Sequence, residues 1–97
     1  SRGVIHAYSG TLQEAEILMK MGFLFGFNHN LSNPHAYKLH DIVKFLPLDS
    51  ILIETDNHKN PDELIQVAER VARIKKITVE QVIEQCDQNT CKLFNLA

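Results

Sequence analysis

The sequence predicts an α/β fold in which helices cover a parallel sheet, and three observations support this prediction. Short apolar stretches alternate with amphipathic stretches of helical length, in the order β-α-β-α-β-α-α. The apolar stretches are hydrophobic on both faces, which is typical of strands buried within a parallel sheet. Two of the helical stretches open with a capping box, in which threonine precedes glutamate or glutamine by three positions.

The composition is that of one small globular domain. The chain has 97 residues, of which 44% are hydrophobic and 23% charged, with a net charge of -2. That charge excludes the basic surface of a protein that binds nucleic acid by charge alone. We expect no membrane association, because no apolar run approaches the roughly 20 residues of a membrane span. The chain starts at Ser1 rather than Met, so we expect a processed or shortened piece of a longer protein.

The cysteines point to a cytoplasmic protein. Cys86 and Cys91 form neither a zinc-binding pattern nor a disulfide framework, so we expect reduced thiols. No signal peptide is visible in the sequence. A cytoplasmic location is therefore predicted.

The first strand is predicted over "VIHAY", residues 4–8, a β-branched and aromatic run. Thr11 then precedes Glu14 by three positions, and this capping box opens a helix. Gly22 is expected to end the helix, because glycine readily adopts the left-handed conformation that follows a last helical turn.

The second strand is predicted over "FLFGFN", residues 23–28. Gly26 weakens this strand unless another group must approach its backbone. Asn33 and Pro34 are expected to cap and open the next helix, and Pro47 to end it. His40 lies in the middle of that helix and is expected to be solvated.

The third strand is predicted over "ILIE", residues 51–54, and Asn60 and Pro61 are expected to open the helix after it. Thr78 and Gln81 form the second capping box. The last helical segment is expected to break near residues 87–89 and to restart beyond them.

Polar side chains end each predicted strand. His6, Asn28 and Asp56 lie at the carboxyl ends of the three strands, where parallel α/β folds collect ligands and catalytic groups. The two-residue period of a strand places Glu54 and Asp56 on one face of the third strand. The same period places His6 and Tyr8 on one face of the first strand.

Structural explanations compete with a site at these positions. A histidine in a strand is more often a hydrogen-bonded structural residue than a ligand, and an aspartate after a strand often caps a helix. Glu54 needs a cation, a donor or a metal nearby, because a buried unpaired carboxylate is costly. His6 and Asp56 suit a divalent ion, but two ligands do not hold a metal alone.

Three segments carry a family resemblance. They are "GVIHAYSGTLQEAEILMKMGFLFGF", "LPLDSILIETD" and "ARIKKITVEQVIEQCDQNTCKLFNL". They resemble the TatD-type metal-dependent deoxyribonucleases, whose motifs H-x-[FY]-S-G and L-x-E-T-D occur here at the family's separation. The resemblance extends over nearly all of the 97 residues.

The resemblance implies a partial TIM (β/α)8 barrel. A complete barrel needs roughly 250 residues. Residues 1–97 are therefore expected to form the C-terminal β-α-β-α-β-α-α part, strands six to eight, of a TatD-like hydrolase. The upstream strands would be absent from this chain.

The resemblance also implies a hydrolase that cleaves DNA phosphodiester bonds with water activated by one or two divalent metal ions, Mg, Mn or Zn. His6 and Asp56 would be metal ligands, and Asp56 would also be the catalytic residue that orients or deprotonates the water. The family's other ligands would precede Ser1, so the chain alone is expected to be inactive.

Contacts with the substrate are expected around the same edge. The resemblance places Ser9 and Gly10 in a loop that faces the phosphate. It also implies that Glu54 lies inside the barrel, beneath the metal ligands, and supports them. Asn28 and His58 are candidates for substrate contact because they lie at the ends of the second and third strands.

The sequence leaves more than one possibility for the partner and for the substrate. The expected partner is the missing part of the barrel, or a second copy of this chain paired across an open strand edge. DNA is the expected substrate. However, the loop after Asp56 is shorter than is usual in the family, which leaves a small ester or amide as one alternative. The other alternative is a non-catalytic fragment that acts by association.

Overall fold

The computed structural model describes residues 3–54 and 61–95, without the side chains of residues 94 and 95. Three parallel strands form one sheet in the order β1-β2-β3. The strands are β1 (Gly3–Ile5), β2 (Phe23–Phe27) and β3 (Ile51–Ile53). The helices are α1 (Leu12–Lys20), α2 (Tyr37–Phe45), α3 (Pro61–Lys75) and α4 (Val79–Asn95). The predicted parallel α/β arrangement and order of elements are confirmed.

Two short 3-10 turns complete the described part of the chain. The turn His29–Ser32 follows β2, and the turn Leu48–Ser50 precedes β3. No described helix has the length and apolar character needed to cross a membrane.

The two faces of the sheet have different neighbours. Odd-numbered strand residues, such as Phe25, Phe27 and Ile51, are buried against the helices and form the core. Even-numbered residues, among them Leu24 and Leu52, lie on the opposite face, as the two-residue period of a strand requires. The helices therefore cover one face of this sheet.

The carboxyl ends of the strands lie along one edge of the sheet. Ile5 of β1 pairs with Phe25, and Phe27 of β2 pairs with Ile53. Beyond the strands, the Tyr8 amide donates to the Gly26 carbonyl at 3.0 Å. The residues that follow the three strands are thus brought together.

The first strand is shorter than predicted. The backbone turns at His6 and Ala7, and Ala7 has a φ of 48°. This turn breaks the alternation, so the predicted common face of His6 and Tyr8 is wrong. Tyr8 instead enters the core, where it packs edge-on against Phe25 and donates its hydroxyl to the Thr11 carbonyl at 2.7 Å.

Both predicted capping boxes are confirmed. The Glu14 amide donates to the Thr11 hydroxyl at 3.1 Å, and the Thr11 amide donates to the Glu14 carboxylate at 3.0 Å. Hydrogen bonding of the Glu14 carboxylate to the Thr11 backbone, and next to the Thr11 side chain, lowers the pKa of Glu14. Thr78 and Gln81 make the same reciprocal pair at 3.1 and 2.9 Å. Local sequence alone is enough to start these helices.

The start of α2 differs from the prediction. The Asn33 side chain accepts from the His35 amide at 2.9 Å and forms a turn, so the helix begins only at Tyr37. The expected solvation of His40 is also wrong. Its Nε2 lies 2.9 Å from the Leu31 carbonyl, to which it donates, and this bond ties α2 to the turn after β2.

The predicted break in the last helix is wrong, because Asn89 is fully buried and satisfied inside α4. Its side-chain amide donates to the Leu48 carbonyl at 3.0 Å and to the Ile51 carbonyl at 2.8 Å. Its oxygen accepts from Gln85 at 2.9 Å. A residue that reads as a helix breaker therefore attaches α4 to the start of β3.

Replacing Asn89 by alanine should lower the free energy of unfolding by about 2–4 kcal/mol, because it removes three hydrogen bonds of a fully buried side chain and leaves a cavity in its place. Chemical denaturation of the complete protein measures this loss. Thr90→Ala is the matched control, since Thr90 is exposed and bonds only within the helix. A loss below about 1 kcal/mol for Asn89→Ala would contradict this role.

The two thiols have different environments. Cys86 is buried, and this burial together with the nearby Asp87 charge raises the pKa of its thiol to about 11. Cys91 is exposed, and both thiols are free. Cys86 therefore serves as a protonated packing residue rather than a nucleophile.

Candidate functional site

His6 and Glu54 meet at the carboxyl edge of the sheet, although they follow different outer strands. His6 Nδ1 contacts Glu54 Oε1, and the Ala7 amide donates to Glu54 Oε2 at 2.9 Å. Both oxygens of the carboxylate are therefore held. This arrangement gives the otherwise costly carboxylate the donors that it needs.

The carboxylate of Glu54 crosses β2 directly above Gly26. A Cβ atom built at Gly26 would overlap the carboxylate carbon and both of its oxygens. Glycine is thus required here because another group approaches the backbone closely. The odd placement of a glycine within a strand is explained by a side chain from the neighbouring strand.

The pair differs in exposure. The His6 side chain is 78% exposed, whereas that of Glu54 is 19% exposed. A neutral imidazole that donates from Nδ1 keeps Nε2 as its acceptor atom. Glu54 therefore selects the tautomer in which His6 presents Nε2 to a ligand, an arrangement common behind metal-bound histidines.

The described residues could supply one ligand of a metal site. His6 supplies an oriented imidazole, while Asp56 and His58 lie outside the described residues. Within residues 3–54 and 61–95, no group of three or more His, Cys, Asp or Glu side chains could hold a metal ion. Because a zinc site takes three or four protein ligands, a zinc ion at His6 would need further ligands from outside these residues.

Asn28 and Ser9 border a small cavity between the ends of β1 and β2. The cavity has a volume of about 40 Å³, and Ala7 and Leu31 also line it. Asn28 is buried, and its side-chain oxygen accepts from the Asn30 amide at 3.0 Å. The structure thus uses Asn28 to cap the 3-10 turn, and a contact with substrate stays a prediction.

Gly10 has a packing role that the sequence did not indicate. A Cβ atom there would lie 2.6 Å from the Tyr8 hydroxyl. Glycine at this position therefore lets Tyr8 reach the Thr11 carbonyl. Ser9, next to it, is exposed, and the phosphate-facing role of this loop stays a prediction.

A further contact at this edge was not found from the sequence. His29 Nδ1 lies 3.1 Å from Glu63 Oε1, and the Glu63 side chain is only 16% exposed. This contact ties the turn after β2 to the first turn of α3. No periodicity or spacing signals it, because the two residues are far apart in the chain.

Comparison with known proteins places this geometry in a family context. The family model described as "TatD related DNase" matches residues 1–95. The chain is 29% identical to the uncharacterized metal-dependent hydrolase YjjV of Escherichia coli (strain K12), over 97% of this chain and 40% of that protein. It is 30% identical to the uncharacterized metal-dependent hydrolase YabD of Bacillus subtilis (strain 168), over 97% of this chain and 41% of that protein.

A solved structure of a TatD homolog has the same fold over this part of its chain. The crystal structure of YjjV, a TatD homolog from Escherichia coli, superimposes with a TM-score of 0.84 at 30% identity, over 96% of this chain and 40% of that one. The chain thus spans about two-fifths of the length of these relatives. Its open parallel sheet is part of a (β/α)8 barrel, as the resemblance implied.

Proposed function

This chain belongs to the family of TatD related DNases, and from that premise we propose that it forms part of a metal-dependent hydrolase that cleaves DNA phosphodiester bonds. The observation that carries the proposal is the His6–Glu54 pair at the carboxyl edge of the sheet. Active sites of (β/α)8 barrels lie at that edge. The exposed imidazole with an orienting carboxylate behind it has the chemistry of a metal ligand.

Each residue has a specific task in this proposal. His6 Nε2 and the Asp56 carboxylate would hold a divalent ion, Mg, Mn or Zn, which when bound supplies the charge that polarises a phosphodiester and activates water. Glu54 holds the His6 ring in one tautomer, and the Ala7 amide holds Glu54. Asp56 orients the attacking water.

Charge supports a metal at this site. The chain has a net charge of -2, so its overall field repels a polyanion such as DNA. A bound divalent cation is commonly the largest local charge in such a site. It would supply the positive charge that the chain lacks.

The rest of the barrel is the proposed partner of this chain. Strands β1 and β3 are the two edges of the described sheet, and an apolar cleft of about 140 Å³ lies between β3, α3 and α4. Leu64, Ile65 and Ile83 at this cleft are 42%, 46% and 41% exposed. Because the chain spans about two-fifths of its relatives, further strands and helices of the same barrel are suited to cover these surfaces.

Hydrolysis of labelled single-stranded DNA by the complete protein, with and without divalent metal, tests the proposed activity. We expect cleavage that is lost on chelation and restored by metal. The shorter loop after Asp56 leaves small esters and amides as competing substrates, so 4-nitrophenyl esters are assayed in parallel. Ester hydrolysis without DNA cleavage would overturn the assignment of the substrate.

His6→Ala should weaken metal binding about 100-fold or more, because it removes a ligand rather than only the partner that orients one. Elemental analysis and metal titration of the complete protein measure this loss, with the melting temperature recorded alongside. His35→Ala is the control, since it removes an exposed imidazole from the loop before α2. Unchanged metal content with only a lower melting temperature would show that His6 is structural.

A further inference from the structure

A basic cleft lies between α3 and the 3-10 turn His29–Ser32. Its volume is about 220 Å³. Four polar side chains of α3 line one wall at the helical spacing i, i+3, i+4, i+7, and the opposite wall is the end of the turn. The lining residues are Ser32, Gln66, Glu69, Arg70 and Arg73.

The Arg70 guanidinium is held in this cleft by one hydrogen bond and keeps other N–H groups available. Its Nη2 donates to the Ser32 carbonyl at 3.2 Å, which uses one of the five N–H groups of the guanidinium. The Ser32 hydroxyl is buried and has no hydrogen-bond partner within the part of the chain that the structure describes. Buried polar groups normally have a partner, and Ser32 lines the cleft, so its hydroxyl is an unused donor beside it.

The Arg73 side chain makes no hydrogen bond or ion pair with any residue that the structure describes, and Arg73 is exposed. Glu69 stands four positions before it on the helix, yet the two do not form an ion pair in this structure. The cleft therefore combines two cations with one anion on a chain whose net charge is -2. Its two guanidinium groups attract an anion.

Size and geometry select the class of anion. Small-molecule sites usually have volumes of about 300–1,000 Å³, so this cleft suits a single group better than a whole ligand. Guanidinium groups match the paired oxygens of a phosphate. The turn begins directly after Asn28 at the edge of the sheet, and its four residues span about 8 Å. Arg70 and Arg73 follow Pro61, the first residue of α3, by nine and 12 residues, or about 14 and 18 Å of helix. Only a strand that extends well beyond the cleaved bond would therefore reach the cleft.

We propose that the Arg70–Arg73 cleft binds a backbone phosphate of the DNA strand away from the bond that is cleaved. This inference rests on the proposed function, because it takes DNA as the substrate. It adds a contact that strengthens binding of longer strands and leaves the chemistry at His6 unchanged.

Binding of single-stranded DNA as a function of salt tests the proposal. The complete protein is stripped of metal so that DNA is not cleaved, and fluorescence anisotropy is measured with oligonucleotides of about 16 and about four nucleotides. We expect Arg73→Gln to weaken binding of the long strand about fivefold at about 0.1 M salt and to reduce the salt slope by about 0.7. Arg70→Gln combined with Arg73→Gln should double the loss of slope.

The controls separate this contact from the fold and from the active site. Lys20→Gln removes an exposed cation from α1, where it pairs with Glu16, and should leave the slope unchanged. Metal-dependent hydrolysis of bis(4-nitrophenyl) phosphate should be the same in the arginine variants and the wild type, and it tests the proposed activity by itself. An unchanged salt slope for Arg73→Gln, or an equal loss with both strand lengths, overturns the proposal. Competition by inorganic phosphate that weakens long-strand binding in the wild type but not in the double variant supports it.

Discussion

Replacing Asp56 by alanine in the complete protein should reduce phosphodiester hydrolysis at least about 100-fold while the protein stays folded. Asp56 follows Glu54 by two positions and is the last residue of the motif L-x-E-T-D, where the proposed function places a ligand of the ion. Loss of its carboxylate would remove both a ligand of the ion and the group that orients the water. Turnover of bis(4-nitrophenyl) phosphate and metal content measure the effect.

Asp49→Ala is the matched control for Asp56. Asp49 is an exposed aspartate in the turn before β3, at the opposite end of that strand. Its removal should leave turnover and metal content unchanged. If Asp56→Ala keeps its metal and its activity stays within about tenfold of the wild type, Asp56 does not have the role of a catalytic ligand.

Gly26→Ala should disrupt the contact between Glu54 and His6. The new Cβ would occupy the place of the Glu54 carboxylate, so the carboxylate must move and His6 must lose its partner. Loss of a group that orients a metal ligand typically costs 10–100-fold in metal affinity or activity. Crowding within the sheet should also lower the free energy of unfolding by about 1–3 kcal/mol. Metal titration and denaturation of the complete protein measure the two effects.

Two further variants identify the cause of a loss of metal affinity in Gly26→Ala. Gly3→Ala introduces a side chain with no atom within 4 Å, although its φ of 128° makes the backbone strained. It should therefore lower stability without weakening metal binding. Glu54→Ala should weaken metal binding as much as Gly26→Ala, and the double variant should be no worse than either, because both act through one carboxylate. Additive losses of metal affinity would show that the two residues act independently.

The order of elements was predictable because its signals are local. Alternation of apolar and amphipathic stretches depends on residues near each other in the chain. The Thr11–Glu14 box and the stop at Gly22, whose φ is 92°, are complete within a few residues. Such features form through the same local contacts in any fold.

Errors at element ends arose where a distant residue decided the outcome. Asn89 reads as a helix breaker, but carbonyls of Leu48 and Ile51 satisfy it inside α4. His40 reads as solvated, but the Leu31 carbonyl faces it. A buried polar group is acceptable only where partners exist, and no local pattern reveals partners from another element.

The sequence by itself determined the α/β class, the order of the elements, the family and the polar residues at the strand ends. Only the tertiary structure decided which of those residues meet. The turn at Ala7 exposes His6, and parallel pairing brings Glu54 across β2 to reach it. Gly26 permits that approach because it has no side chain. Local signals set each strand and helix, whereas the site depends on the register of separate strands, which is set by long-range packing.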